Sequence, residues 1–129
     1  MVDAAGKGGS TRVLVVDDEP SIRLLCRVNL ELDGHEVVES ATLAEAREHL
    51  AEEHFDVVLL DVHLGLETSG DLVEECHAHD PSVPVVLVTG SPDAIFDHAP
   101  AADAVLPKPF EPQALIAAVR GLAGARAER

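Results

Sequence analysis

The sequence predicts an α/β fold, a doubly wound sheet of five parallel strands in a single domain, on three observations. Four short runs are purely apolar, segments of helical period separate them, and the 129 residues suit one domain of ordinary size. The runs are Val13-Leu14-Val15-Val16, Val57-Val58-Leu59-Leu60, Val85-Val86-Leu87-Val88 and Ala104-Val105-Leu106. Continuous rather than alternating hydrophobicity marks strands covered on both faces, as in a parallel sheet between helix layers. Glu36 to Ser40 is a weaker fifth strand.

The intervening helices follow in order. Pro20 to Asp33 places Ile22, Leu25, Cys26, Val28 and Leu32 on one broad apolar stripe, and Gly34 ends it. Thr42-Leu43-Ala44-Glu45 is a capping box, opening a helix to about Glu53. Ser69 to His79 buries Leu72, Val73 and Cys76 before Pro81 and Pro84 close it. Ser91 to Asp103 should hold a fourth crossover, but Pro92 and Pro100 predict a short or poorly ordered helix. The last helix, Pro112 to about Gly124, carries Leu115, Val119 and Leu122, with Phe110 placed to staple its first turn. Right-handed crossovers and this length fit the flavodoxin-like strand order 2-1-3-4-5.

Composition excludes several classes of function. Nine Lys and Arg against 24 Asp and Glu give a formal charge of -15, so nucleic-acid phosphates and anionic membranes are repelled. Aromatics are 2% of the chain, which leaves no stacking platform for single-stranded nucleic acid. The apolar runs are too short to span a bilayer, and Met1 to Ser10 has no apolar stretch of a signal peptide. Cys26 and Cys76 lie far apart inside helical patterns and predict reduced, buried thiols in a cytoplasmic protein, without a disulfide.

In a doubly wound sheet, ligands sit at the carboxyl ends of the strands. There this sequence places Asp17-Asp18-Glu19, Asp61, Thr89-Gly90-Ser91 and Pro107-Lys108-Pro109. Singly, each residue is an ordinary helix cap, loop or turn residue; jointly they build a site. Carboxylates about 5 Å apart repel by roughly 3 kcal/mol at an effective dielectric near 20, so a pocket holding several demands a cation. A hard divalent ion, Mg²⁺ (or Mn²⁺), on Asp17, Asp18 and Asp61 meets that demand and shares its site with phosphate oxygens. Asp61 can then act as a nucleophile toward phosphorus, with the Thr89 hydroxyl and the Lys108 ammonium around the transferred group. No Gly-x-Gly-x-x-Gly or Gly-Lys-Ser/Thr loop is present, so a nucleotide is not the phosphoryl donor.

From about Thr11 to Leu122 the chain resembles a response-regulator receiver domain of two-component signalling. The resemblance rests on Val15-Val16-Asp17-Asp18-Glu19-Pro20, Leu59-Leu60-Asp61-Val62, Val88-Thr89-Gly90 and Leu106-Pro107-Lys108-Pro109-Phe110. It implies a flexible tail over 1–10, the receiver over 11–124 and a C-terminal tail over 125–129. Asp61 is then the phosphoacceptor, served by a sensor histidine kinase or a histidine phosphotransferase. Asp17, Asp18, Asp61 and the backbone carbonyl of His63 serve the metal, Thr89 and Lys108 report the phosphoryl group, and the Lys108-Pro109 bond is cis. His63 and Ser91, at the pocket rim, are candidate modulators of dephosphorylation, while exposed loop residues without a role are the plainer alternative.

Three departures from the family pattern stand out. Leu64-Gly65 replace the usual Met-Pro after the phosphoacceptor, Val105 replaces the common switch aromatic, and the stretch from Thr89 to Lys108 is short and proline-bearing. These features are similar to an atypical single-domain subgroup nicknamed FAT GUY. The expected function is a phosphorylation-controlled module that contacts an unknown downstream protein and is no enzyme beyond its own phosphorylation and dephosphorylation. The competing readings are a pseudo-receiver that takes no phosphate and a haloacid-dehalogenase-like phosphatase. The second wants an Asp two residues after the nucleophile, where this chain has His63. His77 and His79, two apart on one helix, diverge and read as a solvated face.

Overall fold

A computed structural model describes residues 11–64, 67–68, 70–90 and 103–127. Five strands, β1 (Arg12–Val16), β2 (Glu36–Ser40), β3 (Val57–Asp61), β4 (Val85–Thr89) and β5 (Ala104–Pro107), form one parallel sheet in the order β2-β1-β3-β4-β5. This is the expected 2-1-3-4-5 order. Helices α1 (Pro20–Leu32), α2 (Leu43–Glu52), α3 (Gly70–His79) and α4 (Pro112–Ala127) complete the elements, with two-residue antiparallel strands His63–Leu64 and Glu67–Thr68 after β3. The expected crossover helix between Thr89 and Ala104, with Ser91 inside it, falls outside the described residues.

The burial pattern explains why the apolar runs were continuous. The central strands β1, β3 and β4 are buried almost throughout, whereas edge strands β2 and β5 are only partly covered. Alternate side chains go to opposite faces of a strand. Leu14, Val16, Val58, Leu60 and Leu87 therefore meet Leu43 and Ala46 of α2 and Leu72, Val73 and Cys76 of α3. Val13, Val15, Leu59, Val86 and Val88 meet Cys26 and Leu30 of α1 and Leu115 and Val119 of α4, with Phe110 and Leu122 packed alongside.

The apolar stripe of α1 differs from the expected one. Cys26 and Leu30 are its buried residues, while Val28 and Leu32 are 44% and 83% exposed. At about 100° per residue, a side chain two positions from a buried one faces the opposite way, so the line through 22, 26 and 30 excludes 28 and 32. Gly34, with φ +96°, ends the helix as a Schellman cap: its N–H donates to Glu31 O and that of His35 to Leu30 O, each at 3.0 Å. In α2 the Thr42 hydroxyl accepts from Glu45 N at 3.1 Å, but the Glu45 carboxylate accepts from Ala41 N at 2.7 Å, one residue before the cap. The box is thus stretched by one residue. Residues 125–127, expected in a tail, belong to α4, since no Pro or paired turn residues stop the helix at Gly124.

His77 also departs from expectation. Half-buried rather than solvated, it donates from Nε2 to Val83 O at 3.1 Å and lies 3.5 Å from the Asp103 carboxylate, joining the end of α3 to the starts of β4 and β5. His79 is exposed, as expected. No helix among the described residues is long and apolar enough to cross a membrane.

Cys26 and Cys76 are buried and free. Burial pushes both thiols up to about 12, with the Asp17 carboxylate adding to the effect at Cys26. The fold thus favours the protonated thiol, and that contribution to stability is present below the ordinary thiol pKa and lost as pH rises toward the folded value. At pH 8 a thiol-specific disulfide reagent is expected to label neither cysteine in the native protein and both in denaturant. Rapid native labelling of either would contradict this packing.

Candidate functional site

The carboxyl ends of β1, β3, β4 and β5 form one edge, and the polar residues that follow the apolar runs converge on it. Asp17 leaves β1, and its N–H still donates to Ser40 O of β2 at 3.1 Å, so the sheet holds its backbone. Asp61 is the last residue of β3, opposite Val88 of β4. Thr89 ends β4 and is buried; its carbonyl accepts from Lys108 N at 2.7 Å. That bond hands the register of β4 to the segment carrying the lysine.

The carboxylates of Asp17, Asp18 and Asp61 each bring an oxygen within 4.8 Å of the others. Asp17 and Asp61 are buried, while Asp18 is exposed, giving the cluster a wet side. The Lys108 ammonium lies 3.3 Å from Asp17 Oδ2, 3.5 Å from Asp61 Oδ2 and 3.7 Å from Glu19 Oε1. Burial works against its charge, yet Asp17, Asp61 and Glu19 together hold its pKa above the usual lysine value. One ammonium among four carboxylates leaves the pocket net negative, and carboxylate pairs at such distances repel by about 3 kcal/mol at an effective dielectric near 20. The donor set is all hard oxygen with an open side, which fits a divalent ion that retains waters and shares its shell with a phosphoryl oxygen.

Asp17 is held at three of its oxygens. Its Oδ1 accepts from Glu19 N at 2.9 Å and its Oδ2 faces Lys108, while its main-chain carbonyl accepts from Arg23 Nη1 at 2.8 Å. Arg23 was not among the residues expected at the site. Its position in the first turn of α1, five residues after Asp18, is the only sequence signal for it. Glu19, inside the Asp-Asp-Glu motif, was likewise given no role, though it contributes both a backbone donor to Asp17 and a carboxylate to Lys108.

The Lys108-Pro109 peptide bond is cis, as expected. Val105 is 42% exposed on edge strand β5, opposite Leu87, with its side chain toward solvent. His63 follows Asp61 by two residues in a short strand paired with Thr68. The side chain of His63 and all of Ser91 lie outside the described residues. Beside the cluster, Ile22 and Leu25 of α1 with Lys108, Pro109 and Phe110 line a pocket of about 270 Å³.

The model of the response regulator receiver domain family matches residues 13–120, which takes in every residue of this cluster. The chain belongs to the response-regulator receiver family. As a receiver of a two-component system it is 34% identical over 116 residues to the C4-dicarboxylate transport transcriptional regulatory protein DctD of Pseudomonas aeruginosa, covering 85% of this chain and 24% of that protein. It is 28% identical over 115 residues to the response regulator SaeR of Staphylococcus aureus, covering 87% of this chain and 50% of SaeR. A third relative, PilR of Pseudomonas aeruginosa, is 37% identical over 78 residues, 60% of this chain and 18% of PilR. The receiver thus spans at most half the length of these curated relatives.

Solved structures agree. A CheY-like receiver domain protein from Methanospirillum hungatei superposes with a TM-score of 0.82 at 27% identity, covering 93% of this chain and 98% of that one. TrrA of Thermotoga maritima, solved in complex with Mg²⁺ and BeF, gives a TM-score of 0.80 at 28% identity over 87% of this chain and 98% of TrrA. The receiver therefore has the CheY-like flavodoxin fold.

Proposed function

We propose that this receiver takes a phosphoryl group onto Asp61 from the phosphohistidine of a sensor kinase or histidine phosphotransferase. The observation that carries the reading is the meeting of three carboxylates and one ammonium, with Asp61 buried between Lys108 and the open side. In the transfer a carboxylate oxygen of Asp61 attacks phosphorus, the phosphorus–nitrogen bond breaks and the imidazole leaves with its electron pair, taking up a proton. Hydrolysis returns the carboxylate and inorganic phosphate when water attacks the same phosphorus. Both steps are the domain's own chemistry and act on no diffusing metabolite.

Mg²⁺ (or Mn²⁺), held by Asp17, Asp18, Asp61 and the His63 carbonyl, would supply the positive charge that the transferred oxygens require. The complex of TrrA with Mg²⁺ and BeF supports this choice of ion. Asp17 fixes the cluster's geometry through its bonds to Glu19 and Lys108. Thr89, buried at the end of β4, and Lys108, tied to it through the backbone, are placed to sense the new phosphoryl group and pass the change to β5, where Val105 stands exposed. The output is a shift in contacts with a downstream protein, biased between two existing populations. His63 and Ser91 are the proposed modulators of dephosphorylation.

Leu24 and Val28 leave apolar surface exposed on α1, and the neighbouring pocket of Ile22, Leu25, Pro109 and Phe110 offers more beside the phosphoacceptor. A protein donor of phosphate suits such a surface better than a small metabolite does. The charge of -15 disfavours direct nucleic-acid contact, the reduced thiols support a cytoplasmic setting, and the Asp61-Val62-His63-Leu64-Gly65 pattern supports the FAT GUY subgroup.

Incubation with acetyl phosphate and Mg²⁺ is expected to raise the intact mass by one phosphoryl group, and a chelator to prevent it. An unchanged mass with acetyl phosphate and with a panel of phosphorylated sensor kinases would favour a pseudo-receiver instead.

A further inference from the structure

Arg23 stands outside every motif that identifies the family here, yet it holds the backbone of the acidic cluster. The Asp17 carbonyl belongs to the peptide bond that joins Asp17 to Asp18. It lies past the last paired residue of β1, and a buried carbonyl needs a donor. Arg23 Nη1 supplies it at 2.8 Å, while Nε of the same guanidinium lies 3.3 Å from Glu39 Oε1 on β2. The side chains of Arg23 and Glu39 are 18% and 26% exposed, so this contact is largely sheltered from water.

A guanidinium is a rigid plane, and gripping two acceptors fixes its orientation. Through that fork, Glu39 on the edge strand and Arg23 on α1 together lock the plane of the peptide between two carboxylates. We propose that Arg23 is a positioning residue for the divalent-cation site, acting through the Asp17–Asp18 peptide and braced by Glu39. The inference rests on the magnesium reading given above and names a part of the chain that sets its affinity. Arg23 touches neither the cation nor the phosphoryl group in this role. It holds the Asp18 side chain at the angle from which it can face Asp61. Partners that orient ligands from behind typically change metal affinity by about 10–100-fold when lost.

Arg27 provides an internal control. It pairs with the same Glu39, through Oε2 at 2.6 Å, while the Asp17 carbonyl is held by Arg23 alone of the two. Losing it removes a charge from the same helix and the same carboxylate but leaves the peptide gripped.

The test is calorimetric titration of the full chain with Mg²⁺ alone, alongside thermal melts without metal. Arg23→Met is expected to weaken binding at least about tenfold. Arg23→Lys keeps the charge but loses the fork, so it should fall between Met and wild type. Arg27→Met should bind within about twofold of wild type even if its melting temperature drops as far as that of Arg23→Met, which separates positioning from general loss of stability. If Arg23→Met does not fold, Arg23→Lys against Arg27→Met carries the comparison. Equal Mg²⁺ affinity in the Arg23 variants and wild type, or equal weakening in the Arg27 variant, would overturn the proposal while leaving the cation site standing. Absence of binding by wild type would instead remove the magnesium reading, and this proposal with it.

Discussion

Asp61→Asn is expected to take up no phosphoryl group from acetyl phosphate in Mg²⁺, under conditions where the wild type is modified to the extent that its own hydrolysis allows. The amide nitrogen and oxygen fill the same space but supply no carboxylate to attack phosphorus, so the loss should be complete rather than graded. The same substitution should stabilise the protein in the absence of metal. Asp61 is buried within 4.8 Å of two other carboxylates, and neutralising one of three relieves repulsion that Lys108 only partly offsets. A rise in melting temperature together with total loss of phosphorylation separates removal of the acceptor from simple misfolding. Phosphate uptake by the variant at the wild-type rate would eliminate Asp61 as the acceptor.

Lys108→Ala is expected to act in the opposite direction. The ammonium lies 3.3 Å from Asp17 and 3.5 Å from Asp61, and it is the one cation among the described residues paired with both. Removing one partner of a sheltered charge pair costs about 3–5 kcal/mol when burial is complete. With the lysine side chain 20% exposed, water screens part of that, and a loss of about 1–3 kcal/mol is expected in the metal-free protein. Mg²⁺ should then raise the stability of the variant more than that of the wild type, because it enters a pocket with no competing cation. Urea unfolding with and without Mg²⁺ measures both effects. An unchanged metal-free stability would mean that the carboxylates are not close enough to repel. The variant should still accept phosphate, but its contacts with a partner should no longer depend on it.

The reach of sequence reasoning followed the physics of each element. The strands were legible because β1, β3 and β4 are covered on both faces, which forces continuous apolar runs that few other structures require. Asp17, Asp18, Asp61, Thr89 and Lys108 were legible for a related reason: in a doubly wound sheet, whatever polar residue follows an apolar run lands on one edge. Helix faces were less so. On α1, Val28 and Leu32 are apolar but exposed, and only the choice of Cys26 and Leu30 as the buried line fixes the rotation of the helix. His77 looked like a surface residue because its acceptors, Val83 O and Asp103, come from later parts of the chain. Arg23 was missed for the same reason, since one acceptor is a main-chain carbonyl and the other, Glu39, lies sixteen residues away on an edge strand.

The central claim is that Asp61 is phosphorylated at a pocket shared with Asp17 and Asp18, and chemical trapping tests it most directly. Borohydride reduces an aspartyl phosphate to homoserine, which marks the phosphorylated residue permanently and can be read by peptide sequencing in a mass spectrometer. After treatment with acetyl phosphate and Mg²⁺, homoserine is expected at position 61 alone and absent when the metal is chelated. Homoserine at position 17 or 18, or at 61 to the same extent without any divalent cation, would contradict the account.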